Sequence, residues 1–287
     1  DYTFSPQHLV VTGSIGQFTG FDMLDFMGVE VYDIYNWVNE DITPIRSTVR
    51  SFFDSGEQYF KTDLLIRRLD DTYAWYALTG TLVKHEKTGR NKRFVVRMEN
   101  IDSKMTQEKE LTEKAENDQL TGILNKKTME ERVKAQLEHR AGSGNLIFFM
   151  IDLDNFKDVN DTLGHVYGDK VLTEAAEKLK QVFPAKALIG RLGGDEFSVC
   201  ASFDAFDLDN LTEYMTQKGD KLCDILKEEY VSGDKSVQVS ASIGIASAPV
   251  DGEDFLTIYQ KADKALYLSK RSGKNRYNLF QHSAADE

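Results

Sequence analysis

Two acids follow two glycines at Gly193-Gly194-Asp195-Glu196, between the apolar runs ALIGRL at 187–192 and EFSVCAS at 196–202. Gly-Gly suits a tight hairpin, since neither residue carries the Cβ that makes a positive φ costly. Taken alone, such a tripeptide is a plain turn. A pair of carboxylates where two apolar strands meet is less ordinary. A third acid, Asp152, ends another apolar run, NLIFFMID at 145–152, and Asp154 follows two residues later. Acids gathered at one edge of a sheet repel one another unless a cation lies between them. Hard oxygen ligands suit Mg²⁺. Asp154 has another reading, as the cap of a helix that starts at 155.

A sheet is needed to bring these acids together, and the hydrophobic pattern supplies one. Residues 125–140 form an amphipathic helix with Met129, Val133 and Leu137 on one face. The run 145–152 reads as a buried strand, followed by helices at 154–162 and 168–183. Strands at 187–192 and 196–202 precede a helix at 207–230, the strand VQVSASIGIA at 237–246 and a helix at 254–271. This order predicts an α+β domain whose helices pack on a mainly antiparallel sheet.

The N-terminal part has a different pattern. YFKTDLLIRRL at 59–69, YAWYALTGTLVK at 73–84 and RFVVRME at 93–99 are rich in aromatic and β-branched residues. Turn or charged residues separate them, which predicts a three-stranded antiparallel meander. A short hairpin at 8–12 and 15–19 and helical pieces within 22–56 precede it. Residues 105–117 hold neither Gly nor Pro and are strongly charged. They form either a solvated connecting helix or a short parallel coiled coil.

Composition narrows the function. The chain has 287 residues and a formal net charge of -12, from 47 acidic and 35 basic side chains. A broad nucleic-acid-binding surface needs the opposite balance, so nucleic acid is excluded as a partner. No run of about 18 apolar residues occurs, so no membrane segment is expected. Cys200 and Cys223 cannot make a disulfide framework, and a reducing cytoplasm is the simpler setting. The chain is therefore expected to be cytoplasmic, and its start at Asp1 rather than Met fits the cytoplasmic part of a longer protein.

Residues 118–287 resemble the GGDEF family, the diguanylate cyclases. The resemblance rests on GGDEF at 193–197, DQLTGILNKK at 118–127, DLDNFKDVNDTLGHVYGD at 152–169, SIGIA at 242–246 and ADKALYLSKRSGKNRY at 262–277. All five stand in family order. The resemblance implies a palm-like α+β domain related to nucleotide cyclases and polymerases. It implies condensation of two GTP to cyclic di-GMP and two pyrophosphates, in a homodimer whose domains each bring one GTP. Mg²⁺ or Mn²⁺, two ions per GTP site, is implied as cofactor. Asp152 and Asp195 match the metal-binding carboxylates, with Glu196 as a further ligand and the carbonyl of Leu153 as a backbone ligand. Asp195 and Glu196 match the catalytic acids.

Asn160 and Asp169 match the guanine-reading pair, which favours GTP over ATP because a carboxylate accepts from guanine N1–H and its 2-amino group. Asn155, Phe156 and Lys157 open a helix beside the metals, where backbone N–H groups suit a polyphosphate. Lys157, Lys270 and Lys274 match phosphate contacts, and Arg191 stands where relatives touch ligand. Two departures matter. Lys274 replaces a common Arg and loses bidentate phosphate binding. Many members carry Arg-x-x-Asp ahead of the signature as an inhibitory product site; here the positions are Pro184-Ala185-Lys186-Ala187.

Residues 1–104 resemble a PAS domain, in strand and helix order, in WVNED at 37–41 and in ENIDS at 99–103. The domains expected are therefore a PAS-like sensor at 1–104, a signalling linker helix at 105–117 and a GGDEF domain at 118–287. The sensor would set how often two catalytic halves meet; its signal or ligand is unknown. The alternative function is a catalytically silent GGDEF-like module that binds GTP or a protein partner.

Overall fold

In a computed structural model, residues 51–52, 55, 57–67, 72–84, 91–139, 144–204 and 207–281 are described. The chain divides between Leu111 and Thr112 into two units. In the first, β1 (Tyr59–Arg67), β2 (Tyr73–Lys84) and β3 (Asn91–Asn100) form the expected antiparallel meander in the order β1-β2-β3. Leu64 pairs with Tyr76 in the β1–β2 register, and both are buried with Ala74. That period of two gives the meander one apolar face. The predicted hairpin at 8–12 and 15–19, Trp37 and most of the helical stretch 22–56 lie outside the described residues.

Helix α1 (Asp102–Glu116) starts three residues before the expected linker. Asp102 Oδ1 accepts the Trp75 N–H at 2.6 Å, and the Ile101 N–H donates to the Trp75 carbonyl at 2.8 Å. These bonds tie the start of α1 to β2. No side chain of α1 is buried, so the helix rests on its charged pairs, such as Lys104 with Glu108, rather than on packing.

The second unit contains β4 (Leu124–Asn125), α2 (Lys126–His139), β5 (Asn145–Asp154), α3 (Phe156–Leu163), α4 (His165–Val182), β6 (Leu188–Gly193) and β7 (Glu196–Phe203). It continues with α5 (Leu208–Leu226), β8 (Glu228–Ser232), β9 (Lys235–Ala248), α6 (Phe255–Arg271) and β10 (Arg276–Leu279). The strand order is β10-β9-β5-β7-β6-β4, with β8 on β9. Pairing is antiparallel from β9 through β6 and parallel only where β4 and β10 join the edges.

β5 lies inside the sheet and is covered on both faces, which is why its sequence is continuously apolar rather than alternating. Ile147, Phe149, Ile151 and Leu153 join Leu172, Leu179, Leu211 and Leu222 of α4 and α5. Leu146, Phe148 and Met150 face Met129 and Val133 of α2 and Ile258, Ala262 and Leu266 of α6. α6 lies so close to β9 that a Cβ on Gly244 would come within 2.0 Å of the Ala262 carbonyl oxygen.

Two expectations need correction, and two short strands were not foreseen. The helix predicted over 207–230 ends at Leu226, and Glu228–Ser232 is strand β8. Gly233, at φ 60, turns β8 into β9, and Tyr230 packs into the core from it. α4 begins at His165 rather than 168, because Gly164 at φ 91 separates it from α3. The short strands β4 and β10 carry too little periodicity to stand out in the sequence. Among the described residues no helix is long and apolar enough to cross a membrane.

Candidate functional site

The acids meet at one end of β5. In the ladder Asp152 stands opposite Glu196 of β7 on one side and Ser242 of β9 on the other. The Leu153 N–H donates to the Asp195 carbonyl at 3.1 Å, which ties the β6–β7 turn to β5. That turn needs its glycines: Gly193 has φ 146 and Gly194 φ 54. Asp152 is buried, Asp195 half-buried and Glu196 exposed. Asp152 Oδ2 accepts from Lys270 Nζ at 2.5 Å. Burial pushes the Asp152 carboxyl above its ordinary range, the charges of Asp195 and Glu196 add to this, and Lys270 opposes them.

Arg191 faces the same turn. Its Nε and Nη2 donate to the Gly194 carbonyl at 2.9 and 2.7 Å, and Nη1 donates to both oxygens of Asp118 at 3.2 Å. Its guanidinium therefore braces the hairpin against the segment that follows α1. Asp118 Oδ1 also accepts from the N–H and Oγ1 of Thr121 at 2.9 and 2.7 Å.

Asp154 is not the helix cap that its position suggested. The N-cap of α3 is Asn155, in the left-handed region at φ 63 and without a side-chain cap bond. Asp154 is 2% exposed and accepts from Ser240 Oγ and Ser242 Oγ, both at 2.8 Å, and from the Asn275 N–H at 3.0 Å. β9 places both serines on one face of the sheet, two positions apart.

The remaining site residues sit on α3, α4 and α6. Asn160 is half-buried on α3 and Asp169 exposed on α4. The two helices approach closely because residue 168 is glycine; a Cβ there would stand 2.1 Å from Asn160 Oδ1. Gly168, the residue that precedes Asp169, thus seats the Asn160 amide against α4. The N–H groups of Phe156 and Lys157 lie in the first turn of α3 and have no acceptor within the helix. The Phe156 ring packs against the larger core, so only its backbone is offered at the site. The exposed Lys274 donates to Asn155 Oδ1 at 2.9 Å, and Asn155 Nδ2 donates to the Gln238 carbonyl at 3.1 Å. Lys157 is exposed beside them. Leu153 is buried, leaving only its backbone for a ligand role.

Among the described residues no three His, Cys, Asp or Glu side chains converge closely enough to hold a metal ion. The donor set still fits Mg²⁺, which keeps several waters and takes one or two carboxylates together with substrate phosphates. Asp152 and the hairpin acids supply that share. The roles of Asp118, Thr121, Ser240, Ser242 and Asn275 were missed in the sequence. Only the serines left a signal there: two hydroxyls at alternate positions of the otherwise apolar run VSASIGIA at 239–246.

A family model described as "Diguanylate cyclase, GGDEF domain" matches residues 115–276. The signaling protein YkoW of Bacillus subtilis is 29% identical over 93% of this chain and 32% of its own length. The bifunctional diguanylate cyclase/cyclic di-GMP phosphodiesterase MucR of Pseudomonas aeruginosa is 35% identical over 61% of this chain and 25% of its own length. The chain therefore spans a third or less of these two relatives. Among solved structures, the GGDEF domain of TpbB, also called YfiN, from Pseudomonas aeruginosa is similar at 30% identity and a TM-score of 0.51. That match covers 57% of this chain and 94% of the other.

Proposed function

The chain belongs to the GGDEF family, and from that premise we propose that it is a diguanylate cyclase. It condenses two GTP into cyclic di-GMP and two pyrophosphates, as a homodimer in which each protomer brings one GTP. The observation that carries this reading is the ladder pairing of Asp152 with Glu196, which sets the acids of the β6–β7 turn against the acid of β5, with Lys270 on Asp152.

In this reading the Asp169 carboxylate accepts from guanine N1–H and the 2-amino group, while the Asn160 amide meets the other edge. Adenine lacks that donor pair, so the site selects GTP. The first-turn N–H groups of α3 and the ammonium groups of Lys157, Lys270 and Lys274 receive the polyphosphate. Asp152, Asp195, Glu196 and the Leu153 carbonyl would hold Mg²⁺ or Mn²⁺, two per GTP site, which supplies charge neutralisation at the phosphates and activation of the attacking ribose hydroxyl. Arg191 keeps the acid-bearing turn in place. In this reading the N-terminal unit is a PAS-like sensor that regulates how often two catalytic halves meet.

Incubation of the chain with GTP and Mg²⁺, followed by chromatography, tests this. The expected result is cyclic di-GMP, formed at a rate that rises more steeply than protein concentration, as a dimeric site requires. No product at high protein concentration, even with dimerisation forced through the linker, would replace the proposal with a silent GTP-binding module.

A further inference from the structure

Asp154 has the chemistry and position of a metal ligand, two residues beyond Asp152, yet its carboxylate is occupied within the protein. Ser240 Oγ and the Asn275 N–H bond Oδ2, and Ser242 Oγ bonds Oδ1. The residue is 2% exposed. What Asp154 holds is an unusual piece of backbone. After α6, Gly273, Lys274 and Asn275 have φ of 112, 61 and 48 in succession. Among the described residues the non-glycine positions with positive φ are Asn155, Lys274 and Asn275, and all three meet here. Lys274 Nζ bonds Asn155 Oδ1, and Asn155 directly follows Asp154. Asn tolerates the left-handed region; Lys does so at a cost. Such backbone persists only where its surroundings over-determine it, and it clusters at functional sites.

We propose that Asp154 is a positioning residue that anchors the left-handed Lys274–Asn275 turn and thereby presents the Lys274 ammonium at the start of α3, where the nucleotide's polyphosphate binds. The anchor spans three elements: the end of β5, the two serines of β9 and the turn that leaves α6. Asp154 touches no substrate, and its loss is felt through Lys274. This rests on the reading of the site as a GTP site.

The test is calorimetric titration of the full chain with the α,β-methylene analogue of GTP in Mg²⁺, which binds without condensing. Asp154→Ala is expected to weaken binding about tenfold, the scale of one strained residue released. Asn275→Gly alone should bind as wild type does. The double variant should recover most of the loss, because glycine takes the left-handed conformation unaided. Unchanged affinity in Asp154→Ala overturns the proposal. So does a double variant no better than Asp154→Ala, which would assign Asp154 to direct ligation. Asp154→Leu, which keeps the branched shape and removes both acceptor oxygens, replaces Asp154→Ala if the latter fails to fold. Hydrogen exchange without nucleotide separates this proposal from the GTP reading. The Asn275 amide proton should exchange faster in Asp154→Leu, which has no acceptor, than in wild type; equal protection overturns the anchor whether or not the analogue binds.

Discussion

Asp152 and Asp154 lie two residues apart on one face of β5, and they differ in what answers their charge. Asp152 faces the hairpin acids and accepts from the ammonium of Lys270. Asp154 is held by two hydroxyls and a backbone N–H. Identical side chains at adjacent face positions thus meet different partners, an ammonium in one case and hydroxyls with a backbone N–H in the other. Asp195 belongs with Asp152. The Asp195 link to β5 is through its carbonyl oxygen, which any substitution keeps. Asp195→Asn should therefore leave the thermal melt and circular dichroism unchanged while turnover falls by about a hundredfold or more. Retained turnover would remove Asp195 from metal binding. At this scale the sequence was informative about residue type and weak about partners. Arg191 matched a position that touches ligand in relatives, and the structure shows its guanidinium engaged with Gly194 and Asp118.

The elements are positioned by close approaches that glycine permits and by bonds at their ends. At Gly244 an added Cβ would meet the Ala262 carbonyl at 2.0 Å and the Leu266 nitrogen at 2.3 Å, both backbone atoms that cannot swing aside. Gly244→Ala should cost about 3 kcal/mol, read from urea unfolding, because α6 must lift off β9. Since α6 carries Lys270, GTP affinity should fall with it. The segment after α1 is fixed by charge. Burial alone would raise the Asp118 carboxyl, but the Thr121 bonds and Arg191 hold it below the ordinary carboxylate range. A group whose folded pKa is lowered stabilises the fold above its unfolded pKa, and that contribution is lost as pH falls through the folded value. Asp118→Asn should cost about 1–2 kcal/mol at pH 7. Urea unfolding should show the gap to wild type closing below about pH 4. A gap that persists in acid would show that the charge is not what matters. Most helices and inner strands were legible here, because their periodicity is local. β8 was not, since its turn glycine follows a helix-like run without a break.

For the whole molecule, the sequence divides the labour and the structure fills in one side of it. The meander β1-β2-β3 appears as expected, and the cut between units falls inside α1. In the second unit the stretch before the signature is a tight turn, closed by the Ala187 N–H on the Pro184 carbonyl at 2.9 Å, without the Arg and Asp of a product site. If the chain makes cyclic di-GMP, the product should not inhibit it through this turn. Steady-state assays with added cyclic di-GMP check this; micromolar noncompetitive inhibition abolished by changes at 184–187 would refute it. What the sequence by itself determined is which chemical groups exist and which strand ends and turns carry them, because turn chemistry and periodicity act over a few residues. Only the tertiary structure decided which carboxylate meets an ammonium beside the hairpin acids and which meets two hydroxyls and a backbone N–H. The groups that occupy Asp154 come from 86, 88 and 121 positions away, and no local pattern can show a hydrogen bond whose partners meet only when β5, β9 and the end of α6 are brought together.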